Sequence, residues 1–326
     1  MATHPLDKDI EELAASARAA LVREIEESGA LADDPAWKEA FAAVPRHLFV
    51  PYYYVAGPGG YERRWGESPD PRVRESWVTG AYEDVPLATR LRDGELLSSS
   101  SQPSLMALML AALRVSEGDR VLEIGAGTGY NAALLSYRLG DERVTTVDLD
   151  PEITEAARRH LAAAGYHPAV VTGDGARGVP ERAPFDRIIA TCQLASVPRA
   201  WLAQCRPGAR ILTPLATGLV VLTVRDAAHA EGNFLQTPAF FVPLRGADRP
   251  GSEPVPLGGV PQRARTSDLF RFLLALTRRT LDPQEAYALW EREGRPGRER
   301  YGVTVGGEQA WAWLDEPEGP YAWPLP

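Results

Sequence analysis

Gly125, Gly127 and Gly129 stand in the string VLEIGAGTGY, between a short apolar run and an apolar stretch with helical spacing. Glycines at such a junction let the backbone turn sharply and approach a ligand closely. Nineteen residues after Gly129 comes Asp148, at the end of VTTVDL, where a carboxylate can accept from both hydroxyls of a ribose. Asp174 closes a third run, VVTGDG, and is placed to accept from an adenine amino group. The spacing is G-x-G-x-G, and Tyr130 occupies the place where a dinucleotide fingerprint carries its third glycine. Glu123 adds a third carboxylate just ahead of the loop. Carboxylates on this scale suit a cationic, phosphate-free nucleotide better than a diphosphate, and S-adenosyl-L-methionine is such a ligand. The residues expected to hold it are Glu123, Gly125, Ala126, Gly127, Asp148, Leu149, Asp174 and Gly175. Two readings from other classes stay open at this level. A nicotinamide oxidoreductase needs the third glycine, and a peptide-binding scaffold without catalysis does not need three acids at successive strand ends.

These residues require strands that end at one edge of a sheet. RVLEIG, VTTVDL, AVVTG, DRIIAT and ARILTPL read as strands, with GYNAALLSYRL, a helix from Asp150-Pro151-Glu152 to Gly165, and VPRAWLAQC between them. Strand and helix alternation implies a mostly parallel sheet covered on both faces, a doubly wound, Rossmann-like α/β fold, with ligands at the carboxyl ends of its strands. Ahead of it, Ile10, Leu13, Ala17, Leu21 and Ile25 recur at helical spacing. Residues 53–80, rich in Gly, Pro and charge, read as a long loop. FLQTPAFFVPL reads as a strand near 235–243, and RGADRPGSEPVPLGGVPQ as a linker. The tail predicts helices after Thr266-Ser267 and after Asp282-Pro283, then a hairpin, YGVTV-GG-EQAWAW. The expected division is an N-terminal helical segment with an inserted loop at 1–80, a nucleotide-binding core at 81–248, and an α+β extension at 249–326.

A net charge of -9 speaks against a nucleic-acid surface, which carries a basic excess. No stretch reaches the roughly 18 apolar residues of a membrane helix, and MATHPLDKDIEEL has no apolar signal region. A cytoplasmic location, no membrane or nucleic-acid partner, and a monomer are expected. Cys192 and Cys205 make neither a disulfide framework nor a metal site.

Beyond the glycine loop, VPRHLFVP at 44–51, AYEDVPL at 81–87, SQPSLMALML at 101–110, GDGARGVPERAPFDRII at 173–189 and RPGARILTPL at 206–215 give the chain a resemblance to the protein-L-isoaspartate O-methyltransferases. FFVPL at 240–244 resembles the strand that closes their core, and the resemblance covers about residues 10–245. It implies a class I methyltransferase fold, with S-adenosyl-L-methionine as donor and S-adenosyl-L-homocysteine as product. It implies methylation of an L-isoaspartyl carboxylate, whose ester then closes to a succinimide. It also implies that the serine of the family's T-I-S-[QA]-P motif lies beside the acceptor. Pro103 anchors that motif here as Ser99-Ser100-Ser101-Gln102-Pro103, so Ser101, with Ser99 and Ser100, takes the acceptor position.

Three departures bear on the substrate: the arginine-bearing stretch at 53–80, S-S-S in place of T-I-S, and about 80 residues after the core, where repair enzymes need few or none. The Trp-rich ending WAWLDEPEGPYAWPLP is similar to a branch of the family that esterifies an ordinary aspartate in modified ribosomal peptides, namely lanthipeptides and ATP-grasp-modified peptides, leading to an aspartimide. That branch is the favoured expectation for the substrate, with isoaspartyl repair as the alternative. Arg63, Arg64, Arg72 and Arg74 can pair with an acidic peptide or lie solvated in a loop. Trp311, Trp313, Tyr321 and Trp323 can form a peptide-binding surface or pack the tail onto the core. His47, between apolar neighbours, reads as a packed histidine, and Cys192 as a small core residue. Methyl transfer to a carboxylate needs alignment and no general base, so the lack of a catalytic His or Cys pair is consistent with this chemistry.

Overall fold

The computed structural model describes residues 5–32, 34–57, 60–92, 94–246 and 257–326. In chain order its elements are α1 (Pro5–Glu27), α2 (Trp37–Ala43), β1 (Tyr52–Gly57), β2 (Gly60–Trp65), α3 (Pro71–Ala81), β3 (Leu87–Arg92), β4 (Glu95–Ser100), α4 (Pro103–Leu113), β5 (Val121–Ile124), α5 (Tyr130–Leu139), β6 (Val144–Asp148), α6 (Pro151–Ala163) and β7 (Ala169–Thr172). There follow β8 (Phe185–Ala190), α7 (Arg199–Leu202), β9 (Cys205–Leu215), β10 (Gly218–Asp226), β11 (His229–Pro238), α8 (Gln262–Arg265), α9 (Asp268–Thr277), α10 (Pro283–Arg292), β12 (Tyr301–Gly306), β13 (Gln309–Leu314) and β14 (Ala322–Pro324). Two compact units emerge, Met1–Asp119 with Ala126–Gly173, and Arg120–Gly125 with Asp174–Pro326. They divide the chain at other places than 80 and 248.

In the first unit, α1 buries Leu21 and Ile25 of the expected stripe together with Ala14 and Val22, while Ile10, Leu13 and Ala17 are half-buried. Asp70 caps α3 and Asp150 caps α6, each with proline at the first helical turn. A four-stranded antiparallel sheet has the order β2-β1-β3-β4, and β6 pairs in parallel with β7. The 53–80 stretch is therefore no loop. Its hairpin aligns Tyr52 with Trp65, Tyr53 with Arg64 and Tyr54 with Arg63. Tyr53 is buried and its hydroxyl donates to the Ser76 and Trp77 carbonyls of α3. Glycines and the consecutive charges Glu62, Arg63 and Arg64 give the segment a loop-like composition, although its residues still alternate between the two faces of the hairpin.

In the second unit, β5, β8 and β9 run parallel. Their central residues, among them Leu122, Ile188, Ile189, Ile211 and Leu212, have no exposed surface, as a sheet covered on both faces requires. From β9 onward the order is β9-β10-β11-β12-β13-β14, all antiparallel. The hairpin of β10 and β11 escaped the sequence reading, because LVVLTVRD follows β9 with only a tight turn and merges with it into one apolar run. The strand expected at 235–243 begins earlier and ends at Pro238. FFVPL makes only an isolated bridge, Gln193 with Pro243. VPRAWLAQC forms a single turn of helix, α7, rather than a full one.

The two tail helices lie where predicted, α9 capped by Ser267 and α10 by a capping box of Asp282 and Glu285. The tail hairpin aligns Gly306 with Gln309, so its turn is Gly307-Glu308, one residue beyond the expected Gly-Gly. Strand β12 pairs with β11, which makes the tail part of the second unit's sheet. The expected linker lies partly outside the described residues. Among the described residues no helix is long and apolar enough to cross a membrane.

Candidate functional site

The parallel strand β6 delivers Asp148 to the end of its sheet, 8% exposed. Its Oδ2 accepts from the Gly127 amide at 3.4 Å and its Oδ1 from the Asp150 amide at 3.3 Å. The Ala126 amide donates to the Val147 carbonyl at 3.2 Å, fixing the glycine loop against the strand. Gly127 has a φ of +50°, and a Cβ there would lie 3.5 Å from the Ser99 carbonyl oxygen and 4.0 Å from Ser98 Oγ. The glycine loop thus passes close to the end of β4, near enough that a side chain at Gly127 would touch it. Ser98, Gly127 and Thr128 open on a cavity of about 880 Å³, also lined by Phe49, Tyr52, Arg90 and His160. On its rim Arg90 pairs with Asp150 at 3.5 Å and, more closely, with Glu152. His160 Nδ1 lies 3.0 Å from the Thr128 carbonyl, and burial lowers its pKa.

The serines of this strand end have different surroundings. Ser98 and Ser100 are buried; Ser99 and Ser101 are half-buried. Ser98 Oγ accepts from Thr89 at 3.3 Å. Ser100 Oγ accepts from Arg46 Nε and Nη2 at 3.4 Å, so that hydroxyl is committed to a structural contact. Arg46 has no exposed surface. It also donates to the carbonyls of Ala81 and Glu83 at 3.0 Å, Val85 at 3.2 Å and Ser101 at 3.1 Å. Burial lowers its pKa to about 10, which leaves it a cation at neutral pH. From the other side Asp84 accepts from Gln102 Nε2 at 3.0 Å and from the Ser104 amide at 2.8 Å, the first turn of α4. Arg46 and Asp84 together clamp the 81–85 turn and the Ser100–Gln102 corner. In the sequence Arg46 is marked only by standing among apolar residues in VPRHLFVP.

In the second unit β5 carries Glu123, 1% exposed, into Gly125. Gly125 has a φ of +99°, and a Cβ would meet Thr191 Oγ1 at 2.8 Å. The Thr191 hydroxyl donates to the Gly125 carbonyl at 2.9 Å, a support that spacing alone does not reveal. Asp174 accepts from the Ala176 amide at 3.0 Å and so caps the turn at 175–177. A Cβ on Gly175 would come within 2.7 Å of Ile124 Cγ2. Its carbonyl accepts from Trp201 Nε1 at 2.8 Å. Leu149, in the first unit, is 41% exposed, an apolar side chain next to Asp148 in the chain.

The structure brings Gly127, Asp148, Ser98 and Ser99 together. His47 is packed, 4% exposed, with Nδ1 2.7 Å from the Tyr82 hydroxyl, and burial lowers its pKa. Cys192 is buried, and burial pushes the Cys205 thiol up to about 12. Trp313 and Trp323 are 3% and 5% exposed and pack the tail. Of the four arginines, Arg74 Nη1 donates to the Ser68 carbonyl and Arg64 pairs with Glu62 at 3.6 Å. Among the described residues no cluster of His, Cys, Asp and Glu could hold a metal ion.

Residues 71–248 match the sequence model of the family described as protein-L-isoaspartate(D-aspartate) O-methyltransferase. The protein-L-isoaspartate O-methyltransferase of Thermotoga maritima is 43% identical over 150 residues, 44% of this chain and 47% of that one, about half the relative's length. Protein-L-isoaspartate O-methyltransferase 2 of Archaeoglobus fulgidus is 33% identical over 212 residues, 64% of this chain and 84% of its own. A solved protein-L-isoaspartate O-methyltransferase superposes with a TM-score of 0.61 at 24% identity, covering 94% of this chain and 98% of that one. A Plasmodium falciparum structure, described as a putative enzyme of the same name in complex with S-adenosyl-L-homocysteine, gives a TM-score of 0.53 at 14% identity, covering 70% and 98%. These two likenesses establish the fold, the Rossmann-like mixed sheet of class I methyltransferases, with an N-terminal helix and C-terminal strands.

Proposed function

The chain belongs to the protein-L-isoaspartate O-methyltransferase family, and from that premise we propose that it methylates the side-chain carboxylate of L-isoaspartyl residues in polypeptides, with S-adenosyl-L-methionine as donor. The observation that carries this reading is the approach of Gly127 to Ser98 and Ser99 beside a cavity. It sets the loop assigned to the donor against the strand end assigned to the acceptor.

The residues fit the donor. Asp148 offers a carboxylate at the strand end, and Gly125 and Gly127 leave room that a side chain would fill. Glu123, Ala126, Leu149, Asp174 and Gly175 complete the proposed set. When bound, the sulfonium group supplies an electrophilic methyl carbon and leaves as the neutral thioether. The chain's own residues have two tasks. Ser98, Ser99 and Ser101 orient one carboxylate oxygen by hydrogen bonding and leave the other free to attack. Ser100 is left to the clamp. Arg46, buried beneath that corner, keeps a positive charge near an ionised acceptor and fixes the backbone that positions it. A carboxylate is ionised at neutral pH, so no proton has to move and no base is required.

An aspartate of a modified ribosomal peptide was the first expectation for the acceptor. It rested on the length of the tail and on its tryptophans. A solved isoaspartate methyltransferase that covers 94% of this chain removes tail length as a distinguishing feature. Trp313 and Trp323 are buried, which leaves only the half-buried Trp311 and Tyr321 of the four tail aromatics to meet a peptide. Isoaspartyl methylation is therefore the reading the observations favour. The test is direct: isomeric peptides containing L-isoaspartate or L-aspartate are incubated with the protein and donor, and methyl ester or released methanol is measured. Turnover confined to the isoaspartyl isomer is expected; turnover confined to the aspartyl isomer would overturn the reading.

A further inference from the structure

The hairpin of β1 and β2 lies outside residues 71–248, the part that matches the family, yet Tyr52 at its base lines the cavity beside Ser98. Its two faces differ. Tyr53 and Arg64 turn toward α3, where Tyr53 donates to the Ser76 and Trp77 carbonyls and Arg64 to Ser76 Oγ. The opposite face carries Tyr52, Tyr54, Arg63 and Trp65, all half-buried or exposed. The Tyr52 and Tyr54 rings meet edge-on at 6.0 Å. The Arg63 guanidinium stacks 4.5 Å from the Tyr52 ring and 5.5 Å from Trp65. Among the described residues Arg63 makes no ion pair, although acids outnumber bases 44 to 35 in the sequence.

We infer that this face is a docking surface for the polypeptide substrate, and that Arg63 selects substrates with a carboxylate near the methyl-accepting residue. The inference rests on the proposed function for the identity of the acceptor, but not for the existence of the surface. Stacking between two rings restricts the long side chain before any ligand arrives, which reduces the entropic cost of binding. The guanidinium edge remains able to take a carboxylate in two parallel hydrogen bonds. The rings supply contact area for an extended chain without demanding a particular residue. Continuity with the cavity through Tyr52 explains why the partner is the substrate chain and not an unrelated protein.

The test compares isoaspartyl peptides that carry glutamate within a few residues of the acceptor with the same peptides carrying glutamine. In the unmodified protein kcat/KM for the glutamate series is expected to be several-fold higher, with the difference in KM and shrinking as salt is raised. In Arg63→Glu the preference is expected to reverse, while S-adenosyl-L-homocysteine affinity stays the same. An equal ratio in both proteins would overturn the inference. If neither series is methylated, the proposed function fails and the surface is still readable. Fluorescence anisotropy of the labelled peptides with the S-adenosyl-L-homocysteine-saturated protein then decides: a glutamate preference that Arg63→Glu reverses supports the surface, and its absence refutes it.

Discussion

At the end of β4, Ser98 faces a cavity and Ser99 lies close to the glycine loop. In β13 and β14, Trp313 and Trp323 are shut away, the first donating to Thr304 Oγ1 at 3.0 Å, the second lying beside Tyr301 and stacked on Tyr321. Both stretches carry side chains suited to holding a peptide, and composition alone ranks the tryptophans higher. Packing reverses the order. An indole on a strand that pairs with β12 has a sheet to cover, and burying it there stabilises more than leaving it in water for a ligand. The serines gain little from burial, and a clamp built from Arg46 and Asp84 is spent on fixing their backbone. Substitutions in the tail should therefore lower stability and spare chemistry, and substitutions at the serine corner should do the opposite.

The largest effect expected is on the tail side. Trp323→Ala removes a buried ring and should cost about 3–5 kcal/mol in denaturant unfolding, with turnover per folded molecule unchanged. A loss of turnover without a loss of stability would place the tail in the substrate site and dissolve the contrast. On the other side, Asp148→Ala deletes the carboxylate proposed to accept from the two ribose hydroxyls of the donor. Calorimetry should show S-adenosyl-L-homocysteine binding weakened by about 3 kcal/mol, roughly a hundredfold.

Arg46→Lys keeps the charge but cannot span the Ala81, Glu83, Val85, Ser100 and Ser101 acceptors with one planar group. Turnover should fall by about 2 kcal/mol in activation free energy, roughly thirtyfold, with S-adenosyl-L-homocysteine affinity retained. An equal fall in affinity would mean that the clamp supports the whole unit and not the acceptor corner. Ser98→Ala and Ser101→Ala should each cost about 1 kcal/mol in kcat/KM, and the larger effect identifies the serine nearer the carboxylate.

The smallest effect concerns pH. Burial lowers the pKa of both His47 and His160, so the unfolded chain binds more protons than the fold does below the ordinary histidine value of about 6.5. Their contribution is complete above that value and is lost as pH falls through the folded values. Unfolding free energy should decline with acidification below pH ~6.5, and the decline should be shallower in His47→Gln. An unchanged slope would remove His47 from this account.

Much of the core was legible because its signals are local. A strand that ends in Gly125-Ala126-Gly127, with Asp148 and Asp174 closing later strands, can be read from spacing, as can Ser267 and Asp282 as helix caps. The hairpin at 52–65 is not legible, since three consecutive tyrosines and three consecutive charges, Glu62 to Arg64, show no two-residue period, and Gly and Pro give the stretch a loop-like composition. Arg46 was not legible either. Its partners are carbonyls 35 to 55 residues away, and carbonyls carry no sequence signature.

The amino-acid sequence by itself determined the strand and helix alternation of the core, the glycine loop and the family. Those depend on period and spacing. Tertiary structure alone decided that Ser98 rather than Ser100 reaches the cavity, that Trp313 and Trp323 are core, and that Arg63 is held between two rings. Each of these depends on which face of a strand is already covered, a property of what packs against the strand and not of the strand's own residues.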